Sequence, residues 1–157
     1  MALTGRLVAV LLCAITLLSI TATARAAERQ MVLVTDAATP LPALSSLELR
    51  KLFLGMPLEK QGRQLIAVNN GADALLHEVF LQKVMFMSAR DYERQLLSTM
   101  FRTGASRPPA VSDTRQLQDL LRVQPNTVTY VTYMWASDAQ ALSGVSVVQV
   151  LWHGPAE

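Results

Sequence analysis

LSSLELRKLFLGMPLEKQGRQLIAVNNG, residues 44–71, carries the local signals that decide the fold. With Ser45 as an N-cap, Glu48 falls at N3, where its carboxylate reaches back to the cap amide, and Leu44 and Leu49 form a hydrophobic staple. Leu49, Leu52 and Phe53 share one helical stripe, Arg50 and Lys51 suit the negative carboxyl end, and Gly55 supplies a left-handed stop. Pro57 and Gln61-Gly62 make the next segment a turn-rich connection. Leu65-Ile66-Ala67-Val68 is an apolar run of the kind buried on both faces of a sheet, and Asn69-Asn70-Gly71 ends it where a second helix begins. Helix, connection, buried strand and new helix make one α/β unit.

Upstream, residues 1–26 have the layout of a secretory signal peptide: Arg6, an apolar run from Leu7 to Ile20, and the small-residue ending Ala24-Arg25-Ala26. Cleavage is expected after Ala26, leaving residues 27–157 as one domain with no stable membrane anchor and a periplasmic location. The run is shorter than the roughly 20 apolar residues that cross a bilayer. The one cysteine, Cys13, lies in this segment behind Leu11-Leu12, without the small residue of a lipoprotein cleavage site. The mature chain therefore has no disulfide, thiolate metal site or cysteine nucleophile. Losing Arg6 and Arg25 leaves 12 basic against 12 acidic residues. A neutral chain lacks the basic face of a nucleic-acid binder, and Asp91 and Glu93 interleave the one arginine-rich region.

Met31 to Thr35, MVLVT, reads as a buried first strand, closed by Asp36 and by Pro40 and Pro42. After Asp73 the pattern turns helical through Leu75, Leu76, Val79, Phe80 and Val84. It stops near Met87, and Ser88 restarts it with Asp91 at N3 and a Met87/Tyr92 staple. Thr103 to Pro109 is a loop, Ser112-Asp113 cap a short helix, Thr127 to Tyr133 is a strand, and Val145 to Trp152 is the last strand. The order specifies an α/β sandwich with a mixed sheet.

Catalytic constellations are scarce. No nucleophile elbow frames any serine, and His77 and Glu78, adjacent on a helix, diverge too far to chelate one ion. His77 reads as a partly exposed surface histidine, the core methionines Met85, Met87 and Met100 as gap fillers, and Trp135 and Trp152 as packing residues at strand ends. We expect no enzyme activity, no metal and no cofactor. The strand-to-helix junction is the one place where geometry proposes a site, because ligands of open α/β sheets gather beyond the carboxyl ends of strands and helix starts offer free amides to anions. Asn69, Asn70, Gly71, Asp73 and His77 are the candidate ligand-binding residues. The competing reading has the Asp73 carboxylate capping its own helix and repelling an anion from the same donors.

LSSLELRKLFLG, the Phe80 region HEVFLQKVM, the segment Phe101 to Pro109 with its FRTG and RPP, and the Pro125-Asn126 turn into VTYVTY together resemble the substrate-binding (PstS-like) family of phosphate ABC transporters. The resemblance covers nearly the whole mature chain. It implies a type II periplasmic-binding-protein-like α/β fold, one lobe long, that recognises phosphate or a related small anion for an uptake or sensing system. The alternative keeps the fold and drops the ligand, leaving an accessory module that docks a periplasmic or membrane protein.

Overall fold

The computed structural model describes residues 28–38, 40–141 and 144–155; the expected signal peptide lies outside them. The first strand, β1 (Glu28–Asp36), alternates its side chains between two cores: Met31 and Leu33 on one face, Val32 and Val34 on the other, all four fully buried. It is antiparallel to both neighbours, β7 (Thr127–Thr132) and β8 (Val145–Pro155), while β4 (Ile66–Ala67) runs parallel to β7. The sheet order is β4-β7-β1-β8, mixed as the sequence implies.

Helix α1 (Ser46–Phe53) forms as its caps dictate. Ser45 accepts from the Glu48 amide, the Glu48 carboxylate accepts from the Ser45 amide at 2.8 Å, and Lys60 pairs with the same carboxylate. Gly55 ends the helix at φ +79, with the Met56 amide reaching back to the Lys51 carbonyl at 3.0 Å in the manner of a Schellman turn. A Cβ at Gly55 would stand 2.4 Å from the Ser106 carbonyl oxygen, so this glycine also admits the loop ahead of Pro108. The expected connection turns out to contain a hairpin, β2 (Glu59–Lys60) and β3 (Arg63–Gln64), closed by Gln61 and Gly62 at positive φ.

The strand beginning at β4 changes partner midway. The Val68 amide still donates to Val128 of β7, but the Asn69 and Gly71 amides donate to Pro109 and Val111. β5 (Asn69–Asn70) therefore lies parallel to β6 (Ala110–Val111), a strand between the expected loop ending at Pro109 and the expected Ser112-Asp113 cap, where the sequence reading assigned no element. Helix α2 (Ala74–Phe80) runs on into a π-helical turn, Leu81–Met85, closed by Phe86 in the left-handed region; α3 (Ala89–Thr103) then starts from the Ser88 cap. Helices α4 (Thr114–Val123) and α5 (Tyr133–Ala141) flank β7, and Trp135, expected at a strand end, stands on α5.

These elements form three layers. One face of the sheet carries α1, α2, the π-turn and α3 over a core that includes Phe53, Phe80, Leu96 and Tyr130. The other carries α4 and α5 over Val68, Leu117, Leu121, Val131 and Ala136. Phe80 stacks on Tyr130 at 3.8 Å between ring centroids, and Phe53 meets Phe80 edge-on at 4.8 Å. Among the described residues no helix is long and apolar enough to cross a membrane.

Candidate functional site

Strand alternation separates the candidate residues. Odd positions 65, 67 and 69 face the α1–α3 side, and positions 68 and 70 face α4 and α5. Asn70 and Asp73 line a cavity of about 370 Å³ together with Ala72, Thr114, Thr132 and Trp135. Asn69, Gly71 and His77 line a different one, of about 330 Å³, with Tyr92, Glu93, Arg107 and Pro109.

The first cavity lies at the carboxyl ends of β5 and β7, where three helices start. Asp73 caps α2, its carboxylate accepting from the Leu76 amide at 2.9 Å; Asp113 caps α4 through the Gln116 amide at 2.8 Å. The Thr132 hydroxyl accepts from the Trp135 amide at 3.4 Å at the start of α5. Each cap satisfies one of the four amides that a helix start leaves free. Asn70 is buried and holds the floor: its amide nitrogen donates to the Tyr130 carbonyl and its oxygen accepts from the Ala72 amide, both at 3.1 Å. The walls combine polar Asn70, Asp73, Thr114 and Thr132 with apolar Leu76, Leu117, Val131 and Trp135, and contain no cation among the described residues.

The second cavity is built around a hydrogen-bond chain. The Tyr92 hydroxyl donates its one hydrogen to the Phe53 carbonyl at 2.7 Å, so it can only accept from Asn69, whose Nδ2 stands 3.1 Å away. That fixes the amide orientation and leaves Asn69 Oδ1 buried without a partner among the described residues. His77 is half-buried, in line with the partial exposure read from sequence, and its Nδ1 lies 2.5 Å from the Tyr130 hydroxyl, a tie into the core that the sequence reading did not anticipate. Burial pushes the His77 pKa down, against the pull of the Glu93 charge, and pushes both tyrosine hydroxyls up. Arg107 grips Glu93 through two bonds of 2.9 and 2.7 Å, which holds the Glu93 carboxyl below its usual range. With its arginine already paired and a carboxylate at its rim, this cavity does not favour an anion.

Sequence reasoning missed Thr114, Thr132 and Trp135. The Asp113 cap placed one helix start correctly, and the rule that ligands lie beyond the ends of parallel strands would have added Thr132 once β5 and β7 were known to be near neighbours.

No family model matches the chain, and no curated protein matches it. Solved structures do resemble it. An ABC-type phosphate transport receptor from Vibrio cholerae superposes with a TM-score of 0.55 at 13% identity over 78% of this chain and 46% of its own. PstS from Borrelia burgdorferi gives 0.56 at 11% identity over 82% and 50%, and a substrate-binding protein with bound phosphate from Clostridium perfringens gives 0.56 at 13% over 78% and 45%. At these identities the likeness is one of fold. The chain spans about half the length of the structures it matches, and its architecture is a single periplasmic-binding-protein-like lobe.

Proposed function

We propose that this chain is an exported, non-enzymatic solute-binding lobe whose ligand is phosphate or a related small anion, held in the cavity of Asn70, Ala72, Asp73, Thr114 and Thr132. The observation that carries the reading is the convergence of three helix starts on one partly polar cavity at the carboxyl ends of two parallel strands. Helix starts offer amide donors and the positive ends of their dipoles to an anion. The fold neighbour with bound phosphate lends the reading support by analogy. Asp73 restricts the ligand further, because a carboxylate only accepts; a fitting anion brings its own hydrogen, as phosphate does at neutral pH and sulfate does not. Asn69, Gly71 and His77, candidates from the sequence, belong to the other cavity and are left out of this site.

A second reading has its own observation: each of the three helix starts carries a side-chain cap, and no described cation lines the cavity. Under it the lobe is an accessory module docking a periplasmic or membrane protein. Exposed Leu75, Tyr133 and Met134, on elements bordering the cavity, would lie in the covered face. Calorimetric titration at low salt separates the two. Saturable heat with phosphate, reduced by Thr114→Val and absent with sulfate, is the expected result; no heat and no thermal shift at millimolar phosphate overturns the anion reading in favour of the second.

A further inference from the structure

Across the end of β7 from the proposed anion cavity lies another, of about 340 Å³, in the size range of small-molecule pockets. The two share Asp73, Leu76 and Thr132, but this one opens on the α1–α3 side. Its walls are mostly apolar: Met31, Leu75, Leu76, Val79 and Trp152. Trp152 keeps its place because residue 154 is glycine. A Cβ there would stand 2.0 Å from the indole Cζ2, so the ring lies directly over the bare backbone. Leu75 remains half exposed at this cavity, apolar surface that a ligand would take out of water.

Arg29 from the start of β1 and Lys83 from the π-turn are the cations of this cavity. Neither makes an ion pair with a described residue, whereas Lys60, Arg94 and Arg107 all do. Long cationic side chains often cover apolar surface with their stems and leave the head in water. Here two of them, from elements far apart in sequence, border one apolar cavity, opposed only by Asp73, whose carboxylate is engaged by the Leu76 amide.

We propose that this cavity binds a small amphiphilic monoanion, a compound with an apolar chain or ring against Leu75, Leu76, Val79 and Trp152 and one carboxylate reached by Arg29 and Lys83. The apolar part supplies burial, and the carboxylate supplies charge-assisted hydrogen bonds, bidentate on the guanidinium. The inference stands apart from the anion reading, with its own cavity, ligand class and readout.

Octanoate is the probe, titrated into purified Trp135→Phe protein so that Trp152 is the one remaining tryptophan. A saturable change in Trp152 emission is expected. Octanol should bind more weakly, and Arg29→Gln and Lys83→Gln should each raise the octanoate Kd by about three- to fivefold, the scale of exposed ion pairs. Gly154→Ala, which displaces the indole, should weaken octanoate and octanol alike while circular dichroism stays unchanged. An emission that octanoate leaves flat below its micelle concentration overturns the proposal. So does octanol matching octanoate, or a double Gln variant that binds octanoate as tightly as its parent.

Discussion

Tyr92 joins three parts of the chain through one oxygen atom: it donates to Phe53 at the end of α1, accepts from Asn69 of β5, and stands on α3. Removing that oxygen leaves a buried carbonyl and a buried amide without partners. Tyr92→Phe should therefore cost about 2 kcal/mol of stability in urea unfolding, despite keeping the ring. A loss no larger than that of an average surface substitution would show that the cavity beside Asn69 admits water to replace the hydroxyl. None of this was legible at residue scale beforehand. Asn69 and Asn70 look alike in sequence and read as one site, although the period of two in a strand separates them. His77 gave no sign of its partner, since Tyr130 lies on a strand distant in sequence and hydrogen bonds between remote residues leave no local pattern.

At the scale of the element, α1 shows what sequence does encode. Its capping box, stripe and glycine stop are contiguous, so the expected and observed helix agree. The contribution of Lys60 was hidden, because only the hairpin brings it to Glu48. Hydrogen bonds from Lys60 and from Ser45 lower the Glu48 pKa from 4.5 to about 2. A carboxylate with a depressed folded pKa stabilises the native state above its unfolded pKa and loses that contribution as pH falls toward the folded value. The stability gap between the native chain and Glu48→Gln should hold at neutral pH and shrink between about pH 4.5 and about pH 2. Urea midpoints measured across that window check it, and a gap that does not change with pH would sink the assignment. The π-turn was invisible for a different reason: shifting the bond pattern by one residue alters neither hydrophobic period nor composition. It ends on Phe86 at φ +55, 69% exposed, a bulky residue in a conformation suited to glycine. Phe86→Gly should raise stability by about 1 kcal/mol by removing that strain. A drop in denaturation midpoint would instead mean that the ring packs more than its exposure suggests.

For the whole molecule, the sheet is the common wall of two cores, and β1 is its central member, hydrogen-bonded on both sides and buried on both faces. Amide exchange should accordingly be slowest in β1 and the adjoining β7, and faster in the outer edge of β8, where register shifts opposite Met31/Val32 and Leu33/Val34 interrupt the ladder. Uniform exchange rates over β1 and β8 would contradict that ranking. The layered fold was legible because the β-branched runs and the helices capped by Ser45, Asp73, Ser88 and Asp113 announce themselves locally. The partner change at Val68 was not, since β6 is only two residues long and directly follows a Pro-Pro pair. That change has a consequence for how this chain can vary. Ile66 to Asn70 is one continuous strand serving two ladders, so its length sets which asparagine meets Tyr92 and which floors the cavity beside Thr114 and Thr132. Losing a single residue within it would move both to the opposite faces together. The stretch can exchange side chains one at a time, but it cannot change length without giving up both of its cavities at once.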